Sequence, residues 1–279
     1  MLTQSGHDKA CSTKYPILLV HGVGFRDWKY LNYWGRIPGA LKRRGADVYY
    51  GNQDSWASIE HNAATLKTNI EQLLAEYGHE KVNIIAHSKG GLEARYMIST
   101  LDMADKVASL VTIATPHKGS KTVDLFLRLP DLLYRFVAFF ADRTFRLMGD
   151  ENPDFYKVSR HFTTGNARNF NEQNPDSEHV YYQSYAVSMK NPFSDLIFFW
   201  SNLIISLIEG ENDGIVSTES AEWTGFKGVL QRKTNRGISH ADVVDVRRYN
   251  FARSSRPNDI IDIRAVYIQI VSQLKQMGY

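Results

Sequence analysis

The chain has 279 residues, 43% of them hydrophobic, and 33 basic against 30 acidic side chains for a formal charge of +3. That is enough apolar material for one large α/β domain, and the interspersed, nearly balanced charge argues against a nucleic-acid surface. The single cysteine, Cys11, excludes an internal disulfide framework and suits a reducing compartment.

The opening MLTQSGHDKACSTKYP holds no apolar run of signal-peptide type. This predicts a cytoplasmic protein unless an export segment has been removed. Short apolar runs then alternate with longer amphipathic ones. PILLV (16–20) reads as a strand, 28–44 as a helix closed by Arg43-Arg44-Gly45, and DVYY (47–50) as a second strand. A helix over 58–78 ends at Gly78; KVNIIA (81–86) is a third strand, GLEARYMIST (91–100) a helix, and KVASLVTIAT (106–115) a fourth strand. The alternation predicts a mostly parallel sheet flanked by helices, a single α/β domain over 1–279.

Two apolar stretches stand apart. In 121–149 the charges Asp124, Arg128, Asp131, Arg135, Asp142 and Arg146 draw one narrow polar stripe, and Pro130 divides the segment into two helices. Periodicity leaves two readings level: a cap helix buried on two sides, or a mobile lid whose apolar side meets lipid. LIFFWSNLIISLI (196–208) is 13 residues long. A spanning helix needs about 20, so this stretch reads as a buried or interfacial helix.

Chemistry enters at Ala86-His87-Ser88-Lys89-Gly90. The motif sits between a strand and a helix, where a sharp turn flanked by small residues would project the Ser88 hydroxyl above the sheet. A serine nucleophile needs a base, an acid to orient it, and donors for the oxyanion. Among the downstream histidines, His117, His161 and His179 read as loop or surface residues. His240, in GISHADVVD before the last helix, is the candidate base. Asp213, in the Asn-Asp-Gly turn of GENDGIVS, is the candidate acid, with Asp195 and Glu211 as competitors. LLVHGVGFRD (18–27) offers the N–H of Val23 as one oxyanion donor and Lys89 offers the other, while His21 reads as a brace for its own loop.

YPILLVHGVGFRD, VNIIAHSKGG, TPHKGS, NDGIVS and SHADVVD, in this order, resemble the bacterial triacylglycerol lipases of the α/β-hydrolase superfamily. Ala86 stands for the usual first glycine of Gly-x-Ser-x-Gly, and Lys89 for the more usual Met or Gln. The resemblance implies an α/β-hydrolase fold with a helical lid or cap insertion over 121–175. It also implies Ser88 as nucleophile, His240 as base, Asp213 as its carboxylate partner, and Val23 and Lys89 as oxyanion donors. It tips the 121–149 segment towards lid.

No cofactor is expected for the chemistry. The resemblance also implies a structural calcium near the base, held by Asp242 and Asp195, although these two aspartates could instead cap the final and the apolar helix. The zinc site of larger relatives has no counterpart, and His61 reads as a helix-surface residue. The expected activity is hydrolysis of lipid esters through an acyl-enzyme, at an oil–water interface. A carboxylesterase for short soluble esters is the alternative; a hydrolase-fold binding protein without catalysis is the reading from another class.

Overall fold

The computed structural model describes residues 9–24, 32–128, 135, 159–230, 236–248 and 262–279. Strand β1 (Ile17–Val20) is buried throughout, and its side chains divide by the period of two: Ile17 and Leu19 enter one core cluster, Leu18 and Val20 the other. Strand β3 (Val82–His87) divides the same way, with Ile85 in the first cluster and Val82, Ile84 and Ala86 in the second. A sheet buried on both faces explains why these runs are continuously apolar rather than alternating.

With β2 (Val48–Tyr50), β4 (Val107–Ile113), β5 (Tyr181–Val187) and β6 (Phe226–Leu230) the described strands form one sheet in the order β2-β1-β3-β4-β5-β6. Every neighbouring pair is parallel. All the strands therefore end at one edge, and the loops leaving β1, β3 and β5 open on the same side.

Helix α1 (Ile37–Arg43) packs with the C-terminal helix on one face of the sheet. Helices α2 (Ile59–Tyr77) and α3 (Lys89–Ser99) pack on the other. Ser58 caps α2 by accepting from His61 N–H, and Gly78 closes it at φ 71°. The helix expected over 28–44 is shorter. Residues 25–31 lie outside the described set, a turn with Gly35 at φ 51° follows, and Pro38 stands in the first turn of α1. The turn is enforced by close approach: a Cβ on Gly35 would lie 2.1 Å from the Asp245 carbonyl oxygen.

Short helix α4 (Lys121–Phe126) and helix α5 (Thr164–Gln173) bound the insertion after β4. Of the 121–149 segment only 121–128 and 135 are described. Helix α6 (Phe199–Ile208) follows β5 behind two 3-10 turns, Pro192–Ser194 and Leu196–Phe198. It is buried on one side only. Phe193, Leu196, Ile197, Trp200 and Leu207 are 71–80% exposed, whereas Asn202 and Ile205 turn inward. Among the described residues no helix is long and apolar enough to cross a membrane. Helices α7 (Thr218–Ala221) and α8 (Ile263–Gln276) complete the described elements.

Candidate active site

Ser88 sits where β3 passes into α3, at φ 54° and ψ −132°, a conformation that a side-chain-bearing residue adopts only when its surroundings enforce it. They do so on three sides. Its N–H donates to the Ile113 carbonyl at the end of β4 over 3.0 Å. A Cβ on Gly90 would lie 2.4 Å from the His21 carbonyl oxygen, so α3 could not approach the end of β1 with any larger residue there. A Cβ on Gly22 would lie 2.6 Å from Cβ of Ser88 itself, so the loop carrying Val23 abuts the serine. Lys89 is the first residue of α3, and first-turn N–H groups have no partner within the helix.

His240 and Asp213 arrive from the far side of the sheet, in loops after β6 and β5. Nδ1 of His240 is 2.7 Å from Oδ2 of Asp213, and the two loops are also joined through their backbones, His240 N–H donating to the Asp213 carbonyl over 2.9 Å. The other oxygen of Asp213, Oδ1, accepts from the N–H groups of Ile215 and Val216 at 2.9 and 2.8 Å. The carboxylate is fully buried and aimed. Nε2 of His240 is buried and has no hydrogen-bond partner among the described residues. The His240 ring lies 4.4 Å, centroid to centroid, from that of His87, the residue before Ser88. Asp213 and His240, 27 residues apart along the chain, thus meet at the edge of the sheet where His87, the residue before Ser88, ends β3.

Residues 15–222 match a family model described as alpha/beta hydrolase fold. The chain belongs to the α/β-hydrolase fold family. It is 27% identical over 271 residues to triacylglycerol lipase 2 of Saccharomyces cerevisiae, a match covering 91% of this chain and 78% of the yeast protein. It is 42% identical over 125 residues to a triacylglycerol lipase of Vibrio cholerae, covering 44% and 38% of the two chains. Among solved structures, the Staphylococcus hyicus lipase superposes with a TM-score of 0.63 at 17% identity over 96% of this chain and 98% of that one. A metagenomic carboxyl esterase superposes with a TM-score of 0.71 at 16% identity, over 95% and 77%.

Two parts of this hydrolase's site escaped the sequence reading. The first lies under the serine. The Lys89 side chain is buried, its Nζ 2.5 Å from Oε1 of Glu93 and 2.7 Å from the Ala57 carbonyl oxygen. Glu93, whose carboxyl is pushed up by burial against the opposing pull of Lys89, also accepts from Asn62 and Gln53. Gln53 donates in turn to the His21 carbonyl, so the pair ties α3 to the loop carrying Val23. Lys89 and Glu93 stand one helical turn apart, the only signal of this in the sequence. The second part is Asn202. It donates to Oδ1 of Asn212 over 2.7 Å, and the same oxygen accepts from Gly214 N–H, so α6 holds the turn that presents Asp213.

Most of the other described histidines have structural partners. His21 bonds the carbonyl oxygens of Gly22 and Gln53, a brace for its own loop as expected. His117 contacts Thr112 and Arg95 and stacks on Trp223, and burial beside Arg95 holds its imidazole well below the usual range. His87 shares a 2.6 Å hydrogen bond with the Tyr33 hydroxyl, and burial, helped by His240, keeps it well below the usual range too. His161 lies near Glu60, His61 near Asp54, and His179 is exposed.

Asp195 and Asp242, expected at a calcium, are both buried and share a cation of the chain's own. Arg247 hydrogen-bonds Oδ2 of Asp195 and stands 3.9 Å from Oδ1 of Asp242. Asp195 also accepts from Ile197 N–H and so caps the turn leading into α6. The final helix is capped by Asp262 and not by Asp242, which lies two residues beyond His240. A calcium ion takes six to eight oxygens at about 2.3–2.6 Å. Among the described residues no third acidic, histidine or cysteine side chain joins the two carboxylates, a guanidinium stands between them, and Oδ1 of Asp242 is buried without a hydrogen-bond partner. This described set falls short of that requirement.

Proposed function

We propose that this chain hydrolyses carboxylic esters of lipids through an acyl-enzyme. Ser88 attacks the ester carbonyl carbon, and His240 takes the serine proton at Nε2 and delivers it to the leaving alcohol. A water molecule, deprotonated by the same imidazole, then releases the acid and restores Ser88. Asp213 fixes the imidazole through Nδ1 and stabilises the imidazolium. The N–H groups of Val23 and Lys89 receive the oxyanion, aided by the positive end of the α3 dipole. The observation that carries the reading is the His240–Asp213 bond of 2.7 Å, which leaves Nε2 unpartnered among the described residues beside the strained serine turn.

Lipid rather than short soluble substrates is supported by the lipase names of the relatives at 27% and 42% identity. It is also supported by the exposed Leu196, Ile197, Trp200 and Leu207 on the segment leading to the acid. The 121–175 insertion is assigned as lid or cap; its described ends are α4, which packs against α6, and α5. The chemistry draws on side chains and backbone alone, and calcium, implied by the resemblance, would act only on the shape of the His240 loop.

The test is the initial rate of p-nitrophenyl ester hydrolysis from acetate to palmitate, below and above each substrate's aggregation point. Ser88→Ala should cost at least about 10⁴-fold in kcat. High rates on long chains that jump when an interface forms support the lipase reading. A maximum at short chains with no jump supports the carboxylesterase, and substantial activity in Ser88→Ala removes both.

A further inference from the structure

We propose that the loop carrying His240 is braced by arginine in the place where a calcium ion was expected, so that this hydrolase is built to work without the metal. The loop runs over 240–248 and contributes two buried carboxylates, Asp242 and Asp245. Asp242 faces Asp195, which stands at the start of the acid-bearing segment. Two buried carboxylates so placed repel each other unless a cation or a proton stands between them. A divalent ion would draw both onto one centre and thereby tie the base's loop to the acid's segment.

The chain supplies that link itself. The Arg247 guanidinium hydrogen-bonds Asp195 and reaches Asp242 as a charge 3.9 Å away, too far for a hydrogen bond. Its planar head lies 5.8 Å from the centre of the Phe198 ring, which limits where it can swing. On the outer side, Nη2 of Arg236 stands 3.7 Å from the second oxygen of Asp242, while its Nε donates to the Ser194 carbonyl over 2.5 Å. Two guanidinium groups therefore flank Asp242, one on each oxygen, and both are anchored to residues 194–195.

The other end of the loop repeats the arrangement. Arg36 holds Asp245 through Nε at 2.8 Å and Nη2 at 2.6 Å, and its backbone N–H adds a third bond at 2.8 Å. Asp245 itself sits at φ 58°, in a loop backbone pressed against Gly35. A guanidinium is always charged and fork-shaped, so it supplies fixed geometry at any calcium concentration. It also repels a second cation from the same carboxylates.

The experiment compares melting temperature and kcat of the wild-type chain in a calcium chelator and in millimolar calcium at matched ionic strength. Melting and turnover should be the same in both. A melting temperature raised by calcium and not by magnesium, or stoichiometric calcium binding by calorimetry, overturns the proposal. Arg247→Met should lower the melting temperature by roughly 5–10 °C and reduce kcat about tenfold with KM nearly unchanged. A variant that melts and turns over like wild type also overturns it; if the variant does not fold, the wild-type calcium comparison decides alone. Only the kcat arm rests on His240 being the base. The melting and calorimetry need no substrate, so failure of the brace and failure of the hydrolase reading are told apart.

Discussion

The Ser88 turn and the Asp213 turn lie at the same edge of one sheet but are held in opposite ways. Around Ser88 the constraint is steric: β3 is buried throughout, and Gly22 and Gly90 permit backbone contacts that no side chain would allow. Around Asp213 the constraint is polar. Asn202 and Asn212 clasp the turn from within, while Trp200 and Leu207 of the same helix face outward. Helix α6 thus keeps Ile205 and a polar Asn202 inward while apolar side chains also face outward, unlike an ordinary surface helix, which keeps its apolar stripe inward. An apolar run says that a segment avoids water somewhere, not which way it faces.

The contrast predicts where damage is greatest. Glu93→Ala leaves the Lys89 ammonium buried without its carboxylate beneath the serine turn. It should cost about 3–5 kcal/mol, read as a fall of roughly 10 °C in melting temperature. Asn202→Leu removes the clasp on the Asp213 turn and should cost less, about 1–3 kcal/mol in urea unfolding. Because Asp213 is aimed by that turn, the Asn202 variant should also lose kcat with KM preserved. An Asn202 variant with full kcat would show that the backbone bonds to Asp213 suffice.

A third effect runs through the histidines of the buried side. His87 and His117 both titrate below their ordinary 6.5 in the folded chain, chiefly because of burial. Between that value and the folded ones the unfolded chain binds the proton and the folded chain does not. Stability is therefore complete above about pH 6.5, and falls on acidification by up to about 1.4 kcal/mol per pH unit for each histidine. Urea unfolding from about pH 7.5 to about 5 should show this slope, and His117→Gln should halve it. Smallest of all is Leu207→Ser on the outward face of α6, expected within about 0.5 kcal/mol. A larger loss in unfolding would mean that this face is covered in the folded chain, and that the contrast with the serine turn is overstated.

The order of strands and helices through residue 115 was readable because each element satisfies its own local rule. Continuous apolar runs mark two-sided strands, Ser58 and Gly78 cap α2, and a small-residue motif at a strand-to-helix boundary leaves few backbone options. The helix expected over 28–44 came out shorter, at Ile37–Arg43, because Gly35 is pressed on Asp245, 210 residues further along. Motif order singles out Ser88, Asp213 and His240 as candidates, yet no spacing brings the latter two together; loops leaving β5 and β6 do that. The cation between Asp195 and Asp242 was hidden for the same reason. Local pattern reports how a segment meets its immediate neighbours, whereas which arginine reaches which carboxylate depends on loops that only the folded sheet sets side by side.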